Sequence, residues 1–385
     1  MKTESKLYEI TCIAPLHIGS GEKLSPFDYL YDSQREEMYF LNPTLWAQFL
    51  VRHKLIDKIV DQLQQKTSPN LIDWLHQEKI NDGEMRKLAL RTAKAVTNDL
   101  KIKGKRSLNE VASHIALADG RPYVPGSSIK GALRTGILYR LLTDLKDLRE
   151  KYWKQWMEIP VSFWKKETEK KVSRGLEQEL LHRLNLEGTK AFDAVNSALR
   201  GLSVSDAVPV FPVETIIIPK RDATTNTLHE ITDHTVSLYR ECLPAGTKLR
   251  FSLSFDAAMM KRIGIFSPKE IIAATKRYIQ DGLTMQEKVF GRIYSAEFAE
   301  AKDADLMLGA GTGFLAKTLF YRLAPDEHTG QKKLAEYFDN VFSGKNNHYH
   351  QKMDQKITPR TLKLAQTQRD RYIMGLCAMK ELSGC

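Results

Sequence analysis

Apolar and polar residues alternate over residues 7–13, a pattern that predicts a β-strand with one buried face. Pro15 and the glycines that follow it predict a turn at the end of this strand. Residues 37–43, EMYFLNP, are typical of a second short strand. A helix is predicted from an N-cap at Thr44 to about Gln64, because apolar residues recur there at helical spacing.

The next part of the chain is less regular. Residues 65–110 are polar and weakly periodic, which predicts a loop or short helices rather than a core element. A short strand and a Pro-Gly turn at 123–126 then lead into a long amphipathic helix, with Ser127 or Ser128 as its predicted N-cap. The highly charged stretch from about 145 to 200 is predicted to be helical.

The second half of the chain again mixes strands and helices. Strands are predicted at 202–211, 214–220, 248–256 and 371–380. Ser267, Pro268 and Glu270 form the start signal of an amphipathic helix. A glycine loop is predicted to lead into another helix near residue 318, and residues 344–371 are predicted to be a basic, loop-like tract. The pattern therefore indicates an α+β fold with two halves, 1–200 and 201–385.

Composition adds a partner class to this picture. The chain has 385 residues, and 58 Lys and Arg against 47 Asp and Glu give a formal net charge of +11. Such a balance favours a polyanionic partner, most commonly nucleic acid, although a well-solvated basic surface is the alternative. The four cysteines form no Cys-x-x-Cys pair, and no secretory signal or membrane span is recognisable. We therefore expect a cytoplasmic protein with reduced thiols and no membrane contact.

The glycine loop, DLMLGAGTGFLAKT (305–318), raises the question of nucleotide binding. A phosphate-binding loop reads G-x-x-x-x-G-K-[ST], but Ala316 stands where the second glycine belongs, and a Cβ there is costly in such a turn. The dinucleotide fingerprint also fails, because its third glycine comes one residue early. The loop instead suits a phosphodiester strand lying against bare peptide N–H groups. A tight turn packed on its own domain is the alternative.

Other segments repeat this chemistry. PYVPGSSIKGALRT (122–135) combines a turn, two hydroxyls, and Lys130 and Arg134 four residues apart on one helix. LHIGSG (16–21) forms a third glycine turn, and RGLSVSDA (200–207) puts Arg200 beside a strand start. Hydroxyl, amide and cation together suit phosphate.

In chain order, LHIGSG, then PYVPGSSIKGALR, then a glycine loop near the C-terminus resemble the RAMP superfamily, the RNA-binding subunits of CRISPR effector complexes. PGSSIKG is the most specific segment. More closely, LHIGSG with SPFDYLYD, RGLSVSDA, LGAGTGFLAKT, ITPRTLKL and MGLC resembles the RAMP subunit that caps the guide-RNA 3′ end in type III-A (Csm) complexes. The resemblance implies two ferredoxin-like modules, 1–200 and 201–385. It also implies helical insertions at about 65–110 and 145–195 and a glycine-rich loop at 308–313.

The resemblance also implies partners and site residues. The expected partners are the guide RNA (crRNA), the guide–target duplex, the backbone RAMP and small subunits of the complex, and host nucleases that trim the guide 3′ end. No cofactor and no metal are expected. The RNA-binding residues implied are His17, Gly19, Ser20, Gly21, Gly126, Ser127, Ser128, Lys130, Arg134, Arg200, Gly309, Gly311, Gly313 and Lys317.

A catalytic role is a separate question. In related backbone subunits an aspartate after the first glycine turn cuts target RNA, and the nearest residue here is Asp28. The alternative for Asp28 is a turn residue bonded to its own backbone. His17 is a candidate general base but lacks an evident acid partner. A rival function is therefore a backbone-type or stand-alone ribonuclease, whereas our prediction is a non-catalytic subunit.

Two aromatic or histidine-rich segments remain. His348 and His350 are two ligands without a third, so a solvated tract is preferred over a metal site. Trp153, Trp156 and Trp164 are spaced for the buried face of a helical insertion, although base stacking or a subunit contact is the alternative.

Overall fold

The computed structural model describes residues 3–64, 70–95, 108–159, 166–228, 230–342 and 348–382. The strands are β1 (Thr3–Cys12), β2 (Gly19–Leu24), β3 (Tyr29–Asp32), β4 (Glu37–Leu41), β5 (Ala89–Ala95), β6 (Val111–His114), β7 (Leu202–Val204), β8 (Val208–Pro209), β9 (Thr215–Thr225), β10 (Ile231–Cys242), β11 (Lys248–Asp256), β12 (Leu306–Met307), β13 (Thr361–Gln366), β14 (Arg371–Ile373) and β15 (Leu376–Glu381). The helices are α1 (Pro43–Arg52), α2 (Ile56–Gln64), α3 (Leu71–Gln77), α4 (Asp82–Arg86), α5 (Gly126–Asp144), α6 (Lys146–Met157), α7 (Lys166–Leu181), α8 (Ala257–Met260), α9 (Pro268–Phe290), α10 (Ser295–Ala301), α11 (Phe320–Leu323), α12 (Glu327–Val341) and α13 (His350–Met353).

The first sheet has β1 near its centre. Strands β11 and β15 pair antiparallel with β1 on either side, β7 and β8 pair with β11, and β12 pairs with β15. Its main elements follow the chain order β1–α5–β7–β11–α9–β15, which is the βαββαβ succession of a ferredoxin-like unit. The predicted α+β class is therefore confirmed for this protein.

Helices α5 and α9 cover one face of this sheet. Strand β11 alternates buried Leu249, Phe251 and Leu253 with more exposed residues, so one side of it enters the core. The two helices cross closely at Gly136, where a Cβ would collide with the Thr275 side chain. Glycine at this position therefore sets the distance between the helices.

The second sheet runs in the order β2-β6-β10-β9-β5-β4-β3, with β13 on β9 and β14 on β13. Its order differs from that of a ferredoxin-like unit, so a second ferredoxin-like module is not confirmed. Each sheet takes strands from both sides of residue 200. The division into modules 1–200 and 201–385 stays a prediction.

Several predicted elements have different bounds in the structure. The helix predicted from Thr44 to Gln64 is two helices, and the N-cap of the first is Asn42, whose side chain accepts from the N–H groups of Thr44 and Leu45. Asn42 is a good cap because its short carbonyl reaches those two amides. The Ser267 cap is confirmed, since its hydroxyl accepts from the N–H of Glu270.

The two stretches predicted as insertion and loop contain more regular structure. Residues 65–110 hold α3 and α4, as expected for short helices, but also β5, which lies within the second sheet. The tract 344–371 contains β13, and the predicted strand 371–380 is two strands separated at Gly375, which has φ of +81°. Residues 145–195 contain α6 and α7, as predicted.

Candidate functional site

Three of the predicted segments, far apart in sequence, meet at one surface cleft of about 410 Å³. The first glycine turn contributes Ile18 and Gly19, the PGSSIKG helix contributes Ser128, Gly131, Arg134 and Thr135, and the C-terminal glycine loop contributes Leu308, Gly309, Ala310 and Lys317. The strand pairing of the first sheet brings these loops together, because β1 lies next to β15 and β15 next to β12. The cleft therefore combines bare backbone, hydroxyls and two cations.

His17 lies between two of these loops. Its carbonyl accepts from the N–H of Ala310 at 2.8 Å, and a Cβ on Gly309 would collide with that carbonyl. The ring is buried, and its Nδ1 donates to the carbonyl of Glu241 at 2.7 Å. Burial lowers the pKa of His17, so the ring is neutral at physiological pH. His17 thus joins the two glycine loops through its backbone.

A second buried histidine, His114, lies beside His17. Its Nδ1 accepts from the N–H of Ile18 at 3.1 Å, and its Nε2 donates to the carbonyl of Tyr123 at 3.1 Å. Burial lowers the pKa of His114 to about 4. A neutral ring with both nitrogens engaged links Ile18, next to the first glycine turn, to Tyr123, which lies shortly before the PGSSIKG helix.

Glu241 anchors this region from the second sheet, and sequence patterns did not reveal it. The carboxylate is fully buried and accepts two bonds from Arg91, at 2.9 and 2.8 Å, one from Thr215 at 2.9 Å, and one from the N–H of His114 at 2.9 Å. Arg91 also lies over the ring of Phe40, 4.3 Å from its centre. Lone Glu and Arg residues 150 positions apart carry no sequence signal of their pairing.

The start of the PGSSIKG helix differs from the prediction. Helix α5 begins at Gly126 without a side-chain cap from Ser127 or Ser128, so that predicted cap is wrong. Asp206 takes its place, because its Oδ1 accepts from the N–H of Gly126 at 2.8 Å. A Cβ on Gly126 would collide with the carbonyl of Val204, so glycine lets the helix approach β7. The two serine hydroxyls are thus not used in capping.

Lys130 and Arg134 point to different places. The Lys130 ammonium donates to the carbonyls of Leu199 and Leu202, at 2.9 and 2.6 Å, and burial lowers its pKa. It therefore ties α5 to β7 and does not line the cleft. Arg134 lines the cleft and pairs with Glu177 at 2.9 Å on an exposed surface. The predicted joint contact by the two cations does not fit this geometry.

The remaining predicted residues fall at the edge of the cleft or outside it. Ser20 bonds to Ser113 at 2.5 Å, and Gly21 has φ of +96° with open space around it. Arg200 is exposed, donates to the carbonyl of Val195 at 2.9 Å, and does not line the cleft.

The C-terminal glycine loop requires its glycines. Gly309, Gly311 and Gly313 have φ of +82°, +88° and +87°, which is the left-handed region that side chains disfavour. The loop is followed by a single 3-10 turn at Leu315–Lys317 and then by the four-residue α11, so a helix does follow the loop, as predicted, and it is short. Lys317 lines the cleft, and burial, with a smaller effect of nearby Arg240, lowers its pKa.

Asp28 has the geometry of a turn residue. Its Oδ2 accepts from both the N–H and the hydroxyl of Ser25 at 2.7 Å, and its own N–H donates to the carbonyl of Ser25. These bonds account for the side chain without a substrate. Within the described residues, no cluster of three or more His, Cys, Asp or Glu side chains is arranged to hold a metal ion.

The histidine and tryptophan segments are largely structural. His350 is buried and pairs with Asp354 at 2.8 Å, and Asp354 also bonds Arg360. Trp153 and Trp156 pack edge-on against Phe320, 5.6 and 5.1 Å between ring centres, as predicted for the buried face of an insertion. Trp164 lies outside the described residues.

Comparisons with known proteins identify the family. A profile of the RAMP superfamily matches residues 9–316. The chain belongs to the RAMP superfamily. Its sequence is similar to that of "CRISPR system Cms protein Csm5" from Mycobacterium tuberculosis (strain ATCC 25618 / H37Rv), 24% identical over 98% of each chain. It is also similar to the protein of that name from Streptococcus thermophilus, 28% identical over 83% of this chain and 82% of that protein.

Solved structures share the fold of this RAMP protein. A chain in the cryo-EM structure of a Csm–crRNA–target RNA ternary complex from a type III-A CRISPR-Cas system has a TM-score of 0.65. It is 17% identical and covers 98% of this chain and 100% of that one. The crystal structure of Csm5 from T. onnurineus has a TM-score of 0.57 at 16% identity, covering 82% and 92%. The predicted resemblance to RAMP subunits of Csm complexes is confirmed. No helix in the described ranges has the length and apolar character that crossing a membrane requires.

Proposed function

We propose that this protein is the non-catalytic subunit that binds the guide RNA and caps its 3′ end in a type III-A CRISPR interference complex. The similarity to proteins named Csm5 extends over nearly the whole chain and supports this role. Two findings favour this role over that of a stand-alone ribonuclease. Further relatives carry the name Csm5, and the chain shares its fold with a chain of a Csm–crRNA–target RNA complex.

The observation that carries the proposal is the meeting of three glycine-bearing segments at one cleft. Gly19, Gly309, Ser128, Arg134 and Lys317 all line a common space there. Such groups bind phosphate and sugar rather than base edges. Binding is therefore expected to be independent of RNA sequence and to weaken with salt, as suits a subunit that holds guides of any sequence.

The proposed absence of catalysis depends on the two candidate residues. Asp28 is engaged with Ser25, and His17 is buried with its Nδ1 bonded to a carbonyl. Among the residues that the structure describes, neither is paired with a side chain that would move a proton to or from an RNA 2′-hydroxyl. The backbone-type function of Asp28 is therefore disfavoured.

The remaining partners belong to the same proposal. As an end cap, the protein would contact the last backbone RAMP subunit and the small subunits, lie near the guide–target duplex, and influence 3′ trimming by host nucleases. Two RAMP modules, 1–200 and 201–385, remain the expected division of the chain within this assembly.

Direct binding tests the RNA-holding role. The full chain is titrated with two labelled single-stranded RNAs of unrelated sequence across a salt series. We expect similar affinities for both RNAs, and Arg134→Ala should reduce the slope of log K against log salt by about 0.7. Arg140→Ala is the matched control, because Arg140 lies on the same helix but pairs with Glu270 away from the cleft. An unchanged slope in Arg134→Ala would argue against the cleft as the RNA site.

Two further measurements test the capping role and the absence of catalysis. Complexes assembled without this subunit should carry guide RNAs with an altered length distribution, and an unaltered distribution would contradict the capping role. Purified protein incubated with labelled RNA and a divalent metal should leave the RNA intact. Cleavage that Asp28→Ala abolishes would overturn the non-catalytic assignment.

A further inference from the structure

A cavity of about 330 Å³, separate from the RNA cleft, lies between helix α5, helix α9 and the segment 315–327. Within the described part of the chain, its lining residues and those of the cleft have no member in common. Its volume is at the lower end of the range for small-molecule sites. Tyr278, Met285 and Leu315 line it and supply apolar surface. The cavity is therefore suited to a small, partly apolar molecule.

Most polar side chains of this cavity already have partners. The hydroxyl of Tyr139 donates to Asp281, and burial together with this bond raises the pKa of Tyr139 to about 12, so the hydroxyl keeps its proton. The carboxylate of Glu327 accepts two bonds from Lys288, at 2.9 and 2.8 Å. The hydroxyl of Tyr278 donates to two backbone carbonyls, at 2.8 and 2.9 Å. Both carboxylates that line the cavity are thus engaged with other groups.

Arg322 differs from these side chains. Its guanidinium lies over the ring of Tyr139, 5.0 Å from the ring centre, and it lines the cavity. Its Nε is buried and has no hydrogen-bond acceptor among the residues that the structure describes, nor does any carboxylate of those residues lie within ion-pair distance of it. A buried donor without an acceptor is unfavourable. The cavity therefore holds a cation that lacks an anion.

We propose that this cavity binds a small organic acid, with its carboxylate on Arg322 and its apolar part against Met285 and Leu315. The donors of a guanidinium form a planar fork that matches the two oxygens of a carboxylate. The negative charges of Asp281 and Glu327 repel a second negative charge, so a monoanion fits better than a phosphate monoester. The inference goes beyond the proposed function, because it involves no RNA.

Benzoate is the probe for this site, and its binding to the full chain is measured by ligand-observed NMR. Benzamide has the same ring without the charge, and inorganic phosphate has charge without the ring. We expect a Kd of about 1 mM for benzoate and at least about tenfold weaker binding of benzamide. Phosphate at equal concentration should not displace benzoate. Arg322→Ala should abolish the preference for benzoate, and Arg322→Lys should keep part of it, because an ammonium attracts a carboxylate without forming the fork.

Two further variants separate binding from folding, and thermal unfolding without a probe checks that each variant is folded. Gly282→Met adds a flexible side chain to the cavity wall, at a position where a Cβ would meet only Leu315, at 3.9 Å. It should therefore keep the fold and weaken benzoate binding although Arg322 is unchanged. Arg277→Ala is the matched control, because Arg277 lines a neighbouring cavity but not this one, and it should bind benzoate like the wild type.

Several results would overturn the inference. They are the absence of benzoate binding, equal binding of benzoate and benzamide, and unchanged benzoate binding in folded Arg322→Ala or Gly282→Met. Displacement of benzoate by single-stranded RNA would also overturn it, because the cavity would then be part of the RNA path. If benzoate binds as expected while Arg134→Ala leaves the salt dependence of RNA binding unchanged, this site stands and the proposed function fails.

Discussion

The buried pair of Arg91 and Glu241 gives a prediction that can be worked out from the structure. Arg91→Ala removes both charged donors from a fully buried carboxylate and leaves only Thr215 and the His114 N–H as its partners. Breaking one side of a buried ion pair destabilises a protein by about 3–5 kcal/mol. For 385 residues the unfolding entropy is about 0.8 kcal/mol/K, taking roughly 2.1 cal/mol/K per residue. The melting temperature should therefore fall by about 4–6 °C.

Differential scanning calorimetry measures the melting temperature. It is applied to the wild type, Arg91→Ala, Glu241→Gln and the double variant Arg91→Met/Glu241→Leu. The double variant should recover most of the loss, because it leaves no buried charge unpaired. The matched control is Arg121→Ala, whose partner Asp119 is exposed, and it should shift the melting temperature by less than about 1 °C. A loss in Arg91→Ala no larger than in this control would refute the reasoning. So would a double variant whose loss is the sum of the two single losses.

Two further predictions concern the contacts that hold the loops of the cleft together. Because the pKa of His114 is about 4 in the folded protein, below the ordinary value of about 6.5, its contribution to stability is present above pH 6.5 and is lost as the pH falls towards 4. The loss of stability reaches about 3 kcal/mol. Thermal unfolding at pH 7.5 and pH 5 measures it, and a His114→Gln variant should lack this part of the pH dependence. If the variant and the wild type have the same pH dependence, His114 is not its source. Gly309→Ala places a Cβ against the His17 carbonyl in a left-handed backbone, so it should destabilise the protein by at least about 1–2 kcal/mol and weaken RNA binding. Ala310→Gly, measured by the same denaturant titration and RNA binding assay, is the control, and an equal effect of the two changes would contradict the role of the loop packing.

Local patterns predicted the segments of the site but not the partners of their side chains. LHIGSG, PGSSIKG and the C-terminal glycine loop were all identified from sequence, and all three line one cleft. The partners of Lys130 could not be predicted, because helical spacing places it on the face of Arg134, whereas the carbonyls of Leu199 and Leu202 lie 69 and 72 residues away. The contact between Arg240 and Gly311 could not be predicted either, because Arg240 lies in a strand of ordinary composition and only the fold places it beside the loop.

The element predictions failed where tertiary contacts outweigh local propensity. Strand β5 is surrounded by polar sequence, yet its pairing with β4 and β9 places it inside the second sheet. The cap of α5 comes from Asp206, whose carboxylate accepts a hydrogen bond from the N–H of Gly126, 80 residues earlier. No local capping signal in the sequence therefore exists. By contrast, the Ser267 cap lies three residues from its partner and was predicted correctly.

The position of β1 has a consequence for how the chain is made. This strand is translated well before its two neighbours, which are residues 248–256 on one side and 376–381 on the other. During synthesis its hydrogen-bonding edges stay open until those later residues have left the ribosome. Such long-range closure is slow, and open strand edges promote aggregation, so production of this protein should benefit from slow translation and chaperones.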